Sequence, residues 1–444
     1  MLLLLWLGGT CFLAAQTPKA PENWIIPSAP YPAKNDTIPQ VVYTDKFRHL
    51  TVPEFWISKL PRPDRKILNR AAIRHFNDQT ARHKKLIISP EDFNSTYSGE
   101  WIRTKLTKLH DFLLERAFYF ENGKAIDKNF LEDFEHYSNP DAVLQRVKTR
   151  YALVVDYANH RVTPTEATLL KKPEQIYFDR NQNAALDIGT PLAVLHQTAD
   201  AKWYFALAPT SYGWIRAQDI AFTTRKKMLA YAKSKNFVIT VNPKNALFYK
   251  NRYDNYLRMG VRLPYVGRSV AYCQVQIPKR NSQGKLELRT ATISLADIHR
   301  GYLPYTQRTI IKQAFKFLNA PYGWGGMFGE QDCSKFLQEI YATVGIILPR
   351  NSGEQKKTGK TLITFGGTLE ERSHQLTVSA RPASTLLHLP GHIMLYLGIH
   401  EGTPYIIHTV WGARKGKDPV AKTAVTSVHF KDYLAQIESA TSIK

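Results

Sequence analysis

Cys333 stands in Gln331-Asp-Cys-Ser-Lys335, directly after the glycine-rich run Pro321-Tyr-Gly-Trp-Gly-Gly-Met327 and before Phe336, Leu337, Ile340, Tyr341 and Val344. Those five apolar positions recur at helical spacing, so the cysteine opens an amphipathic helix. Unpaired amides and aligned peptide dipoles at a helix start favour negative charge, which predicts a lowered thiol pKa and a nucleophilic sulfur. The same amides, with those of the loop, can hold the oxyanion formed when sulfur attacks a carbonyl.

A thiolate needs an imidazole to take its proton and later protonate a leaving amine. His392 opens the apolar run His392-Ile-Met-Leu-Tyr-Leu-Gly398, and His408 lies in Tyr405-Ile-Ile-His-Thr-Val-Trp-Gly412, separated from it by the turn-like Glu401-Gly-Thr-Pro404. Paired as a hairpin, these runs can bring both histidines to one face, His408 orienting His392. Each residue also has an ordinary role, the cysteine as helix packing and the histidines as satisfied core side chains. One cysteine and two histidines could also ligate zinc, although no close metal-type spacing supports it.

The elements that must position these groups lie in a chain of 444 residues, long enough for two to four domains. An apolar fraction of 43% with 12% aromatics is that of a globular protein, so neither disorder nor a membrane bundle is indicated. Met1 to Ala15 is apolar, too short to span a bilayer and followed by Gln16-Thr-Pro-Lys19, which predicts a secretory signal over 1–15 and export. Gly9-Thr10-Cys11 within it could suggest a lipid-anchored cysteine, but Thr10 is bulkier than the residue expected before one. Residues 16–43 are rich in Pro, Ala and Asn and read as a linker; residues 44–140 carry helical patterns such as Ile102, Leu106, Leu109, Phe112 and Leu113.

Short alternating runs divided by turns then predict a small β-barrel over 141–228, and a similar pattern predicts a second over 236–298. From 302 to 440 the pattern is mixed, giving an α+β C-terminal domain that holds Cys333, His392 and His408. Cys11, Cys273 and Cys333 are the only cysteines, so no disulfide framework or four-cysteine zinc site can form, and Cys273 reads as strand packing. Sixty Lys and Arg against 37 Asp and Glu give a net charge of +23, spread along the chain. That charge suits a polyanionic surrounding, and no aromatic-and-basic nucleic-acid module accompanies it.

Five ordered motifs, Tyr-Gly-Trp-Gly-Gly (322–326), Asp-Cys-Ser (332–334), Leu-Pro-Arg-Asn-Ser (348–352), Gly-His-Ile-Met-Leu-Tyr-Leu-Gly (391–398) and His-Thr-Val-Trp-Gly (408–412), make the C-terminal region resemble the NlpC/P60 cysteine peptidases. Phe178-Asp-Arg, Ala193-Val-Leu-His196, Lys202-Trp and Gly213-Trp-Ile resemble the bacterial SH3 (SH3b) modules that accompany some members. The resemblance implies a papain-like catalytic domain after two SH3-like barrels. It implies Cys333 as nucleophile, His392 as base and acid, His408 as orienting residue and Tyr322 near the oxyanion. Asp332 and Ser334 become candidates for binding a substrate amine, with a helix cap as the competing role of Asp332. Arg350 and Ser352 would line the cleft, with a turn as their competing role.

The implied reaction is cofactor-free, metal-independent cleavage between γ-D-glutamate and an L-diamino acid in peptidoglycan stem peptides, often with a free N-terminal L-alanine. The implied setting is the periplasm, the cell envelope or the medium, with no transmembrane segment after signal removal. Amidase or acyltransferase chemistry on the same thiol, and a silent wall-binding protein, are the alternatives. The chain departs from the family's usual Asp-Cys-Ser-Gly at Lys335, which would either meet a substrate carboxylate or point to solvent.

Overall fold

The structure, a computed structural model, describes residues 45–114, 117–412 and 420–444. The expected signal (1–15), the linker (16–43) and Cys11 lie outside the described residues.

The segment expected to be helical divides between two cores. Helix α1 (Pro53–Ser58) starts on a proline, whose fixed φ suits a first turn, and α2 (Arg70–Asp78) starts on Asn69, whose side chain accepts the Ala72 amide at 2.9 Å. Their buried faces, Trp56, Ile57, Ile73 and Phe76, join the core of the C-terminal domain. Strand Lys66–Leu68 between them pairs with Tyr305–Thr306 of that domain. Helices α3 (Gly99–Leu114) and α4 (Lys128–Ser138) follow, and Ile102 and Leu106 of α3 instead pack on Leu153, Phe205 and Trp214 of the next module.

That module is a seven-stranded antiparallel sheet in the order Ile220–Thr223, Arg150–Val154, Pro191–Gln197, Trp203–Leu207, Tyr212–Arg216, Ala158–Arg161, Gln182–Leu186. Alternate residues of its central strand divide between two apolar clusters: Trp203, Phe205 and Leu207 face α3, whereas Tyr204 and Ala206 face Val154, Leu192 and Ile215. Covered on both faces, the strand reads as an unbroken apolar run.

Helix α5 (Arg225–Ala232), capped by Thr224, leads to a second seven-stranded sheet over residues 237–300. Its longest pairing joins Tyr272–Arg280 to Leu286–Ser294 and turns Cys273, Val275 and Ile277 inward, so Cys273 is a packing residue.

In the C-terminal domain α6 (Gln307–Phe315) and α7 (Cys333–Ala342) pack on a six-stranded sheet ordered Lys360–Thr364, Ser439–Ser442, Thr385–Leu389, His392–His400, Thr403–Gly412, Val420–Ser427. Phe336, Leu337 and Ile340 of α7 share one core with Ile393, Leu395 and Ile407 of the sheet. Truncating such a side chain, Leu337→Ala for example, would cost about 2–5 kcal/mol, which makes this face the clamp that fixes the start of α7 against the strand bearing His392.

Candidate active site

The glycine-rich loop is shaped by what it touches. Gly325 and Gly326 adopt φ of 64° and 88°, where side chains are strained, and a Cβ on Gly325 would lie 2.5 Å from Gln182, one on Gly326 2.7 Å from Ala185. Both neighbours belong to the first sheet. Gln182 Nε2 donates to the Gly325 carbonyl at 3.2 Å and the Tyr157 hydroxyl to that of Gly326 at 2.6 Å. Only glycine permits this approach, through which the first module holds the segment that leads into Cys333.

Asp332 caps α7: its Oδ1 accepts the Lys335 amide at 2.9 Å and the Ser334 hydroxyl at 3.1 Å, and its Oδ2 accepts the Gly325 amide at 3.1 Å. Arg350 closes the group, with Nη2 2.5 Å from Asp332 Oδ2 and Nη1 2.7 Å from Ser334 Oγ. The guanidinium holds the Asp332 carboxyl below its ordinary range against the opposing effect of burial. Asp332, Ser334 and Arg350 thus form one buried network under the nucleophile. Ser352 stands outside it, half-buried at the start of the short helix Ser352–Gln355.

Cys333 is 7% exposed, and the backbone of Ile393 and of Ser334 favours its thiolate only weakly. The expected lowering of its pKa is overturned: burial first, and the Asp332 charge second, push the thiol up to about 12 despite the helix start. Desolvation of a small anion exceeds what half a dipole charge returns.

His392 begins its strand beside Ile393, and its Nε2 lies 2.8 Å from Nδ1 of His408; Nε2 of His408 lies 3.1 Å from Oγ1 of Thr426. Burial, reinforced by the Lys431 charge, lowers His392 to about 3, and burial likewise lowers His408. Cys333 and His392 therefore rest as neutral thiol and neutral imidazole, and proton transfer between them would make an ion pair without changing the net charge of the site.

Tyr433 lies with its ring 5.6 Å from that of His392 and 5.7 Å from that of His408, and Phe430 packs on His408 at 6.2 Å. Thr426, Phe430 and Tyr433 were not legible in the sequence, since they lie in a C-terminal stretch with no motif.

Tyr322 belongs to an aromatic wall built from two modules. Phe178 of the first sheet's module meets Tyr322, Trp324 and Trp411 at ring distances of 6.0, 5.3 and 5.0 Å, and Tyr177 meets Trp411 at 4.8 Å. Burial and the neighbouring Asp332 and Cys333 raise the Tyr322 pKa, so its hydroxyl stays a donor.

Lys335 takes neither expected role. It is 8% exposed and its Nζ lies 3.0 Å from Oδ2 of Asp187, whose Oδ1 is 2.5 Å from Nε of Arg258 in the second sheet's module. Asp187, Lys335 and Glu339 also line a cavity of 350 Å³ between these modules and α7. This long side chain thereby ties three modules together. Among the described residues no group of three or more His, Cys, Asp or Glu side chains is placed to hold a metal ion.

Residues 319–414 match the NlpC/P60 family and residues 169–216 match the SH3 domain of SH3b1 type. A gamma-D-glutamyl-L-lysine dipeptidyl-peptidase of Bacillus cereus is 28% identical over 152 residues, covering 33% of this chain and 44% of that protein. A protein of the same name from Bacillus subtilis is 43% identical over 56 residues, 12% of this chain and 19% of that protein. The bifunctional muramidase/DL-endopeptidase CwlT of Bacillus subtilis is 38% identical over 77 residues, 15% and 23% of the two chains. The matches thus span less than half the length of each of these relatives. Among solved structures, an NlpC/P60 endopeptidase from Photobacterium damselae subsp. piscicida superposes with a TM-score of 0.69 at 21% identity, over 86% of this chain and 94% of that one, which shows a shared fold.

Proposed function

On the premise that residues 319–414 form an NlpC/P60 domain and 169–216 an SH3 domain of SH3b1 type, we propose that the chain cleaves the bond between γ-D-glutamate and an L-diamino acid in short cell-wall peptides by a thiol mechanism. The observation that carries this reading is the 2.8 Å contact between His392 Nε2 and His408 Nδ1. With Nε2–H of His392 donated to His408, and Nε2–H of His408 to Thr426, Nδ1 of His392 is left as the base for the thiol.

His392 takes the proton of Cys333, and the sulfur lone pair forms a bond to the peptide carbonyl carbon while the carbonyl π electrons move to oxygen. The amides at the start of α7 and the Tyr322 hydroxyl are the donors for that oxyanion. The imidazolium protonates the leaving nitrogen as the C–N bond breaks, and water then releases the acyl group from sulfur with His392 again as base. Asp332, Ser334 and Arg350, engaged with one another, position the nucleophile's helix, and Ser352 is left for the substrate. Tyr177 and Phe178 narrow the cleft to short peptides. The charge of +23 suits a polyanionic envelope, and no described helix is long and apolar enough to cross a membrane.

The test is digestion of L-Ala-γ-D-Glu-L-Lys and L-Ala-γ-D-Glu-diaminopimelate with product masses read directly. Release of L-Ala-γ-D-Glu, lost in Cys333→Ala and unaffected by a chelator, is expected. Undiminished turnover by Cys333→Ala would reject the mechanism.

A further inference from the structure

No step of the proposed hydrolysis draws on Lys431, yet the chain places this residue at the histidine pair at some expense. Lys431 and Asp432 are consecutive non-glycine residues in the left-handed region, at φ of 52° and 55°. Such conformations cost on the order of 1 kcal/mol or more each and persist where surrounding contacts enforce them. Here Gln436 Nε2 donates to the carbonyls of Lys431 and Asp432 at 2.7 and 3.3 Å, while Phe430 and Tyr433 on either side pack their rings on His408.

The kink turns the Lys431 side chain inward, half-buried, with Nζ against Gly412 at the end of the strand that carries His408 and Trp411; a Cβ on Gly412 would come within 2.0 Å of it. Its charge acts on both His392 and His408. Among the described residues no carboxylate pairs with this ammonium. The acid nearest the nucleophile, Asp332, is taken by Arg350. Beside two imidazoles and with no described carboxylate to pair with, this ammonium is partly desolvated without compensation from the described residues. It gains when an anion arrives.

We propose that Lys431 binds a carboxylate of the amino acid released by cleavage, and so selects substrates whose leaving residue is anionic. The assignment rests on the peptidase reading above, because His392 must protonate the leaving nitrogen, which places the released residue on the histidine side of the sulfur, where Lys431 stands. A diamino acid offers such a carboxylate from its C-terminal α-carboxyl or, in diaminopimelate, from its side chain.

The experiment compares kcat/KM of the full chain on L-Ala-γ-D-Glu-L-Lys, on its C-terminal amide, and on the C-terminal amide of L-Ala-γ-D-Glu-diaminopimelate. Loss of a charge-assisted contact predicts about a tenfold preference for a carboxylate-bearing peptide over the lysine amide. That preference should collapse toward unity in Lys431→Met and survive in Lys431→Arg. The diaminopimelate amide distinguishes the two carboxylates: it follows the free acid if the side chain is read and the lysine amide if the α-carboxyl is read. An unchanged preference in Lys431→Met, or an equal loss on all three peptides, overturns the assignment. If the parent protein cleaves none of them, the peptidase reading fails, and calorimetric binding of the same peptides to Cys333→Ala, with and without Lys431→Met, decides the Lys431 assignment by itself. Equal binding of acid and amides, or binding of none, overturns it.

Discussion

His392 and His408 share one face of a hairpin although they are not directly opposite. The register pairs Leu395 with Ile407 and Tyr396 with Ile406, which sets His392 across from Val410 and leaves His408 two residues along on the same side. That diagonal is within reach of imidazole rings, and the two-residue turn at Glu401 and Gly402, with φ of 48° and 74°, fixes it. If His408 orients His392 for proton transfer, His408→Ala should lower kcat by about 10²-fold with little change in KM. Thr426→Val, which removes the 3.1 Å partner of His408, should lower kcat by a smaller factor. Steady-state kinetics on the tripeptide checks both, and a His408→Ala enzyme with the parent's kcat would remove the orienting role.

The pH profile follows from two opposite shifts. Burial lowers His392 to about 3 and raises Cys333 to about 12, so the reactive pair holds a single shared proton across the whole interval. Activity should therefore be flat across neutrality, between about pH 5 and 9, with an acid limb well below the ordinary histidine value. Because the Lys431 charge opposes protonation of His392, Lys431→Met should move that limb to higher pH. A bell-shaped kcat/KM profile centred between 6 and 8 would contradict the neutral resting pair.

Local motifs made Cys333, His392 and His408 legible, because a helix start after a glycine loop and two apolar runs around a turn are short-range patterns. The strand runs at 191–196 and 203–208 were legible for the same reason, and strands Pro191–Gln197 and Trp203–Leu207 are found there. What pairs with what over long separations was not. Lys335 finds Asp187 across 148 positions, and no spacing rule announces it. Helices α1 and α3 each show an apolar stripe, yet a stripe says only that one face is covered, and the two stripes are covered by different cores. The thiol's pKa was misjudged because a helix start is visible in sequence and desolvation is not.

Glu339 gives the molecule an alkaline weakness. Burial raises its carboxyl from 4.5 to about 8, only partly offset by Lys335, and both its oxygens lack hydrogen-bond partners. Between those values the folded chain holds a proton that the unfolded chain has released, so this group's contribution is full below pH 4.5 and is lost as pH rises through 8. The effect reaches about 5 kcal/mol at most. Glu339→Gln should therefore raise the melting temperature more at pH 9 than at pH 6. Equal shifts at both values would mean that the carboxyl is ionised in the folded protein at neutral pH.

Asp187 is the acid that joins all three modules: Lys335 two residues beyond the nucleophile on one oxygen, Arg258 of the second sheet's module on the other, with the Arg258 guanidinium 3.2 Å from the centre of the Tyr157 ring. Its two cations hold it ionised against burial, so its pKa is lowered and its contribution weakens as pH falls. Removing the acid leaves two buried cations with Glu339, 3.9 Å from Lys335, as their remaining carboxyl, and Asp187→Asn should cost about 3 kcal/mol. Lys335→Met should cost less, because Arg258 still satisfies Asp187, and the double variant should recover part of the loss, since it removes one of the stranded charges. Chemical denaturation of the four proteins gives the coupling energy, and kcat/KM measured alongside shows whether the tie also holds Cys333 in register with His392. Additive losses would show that Lys335 and Asp187 touch without depending on each other.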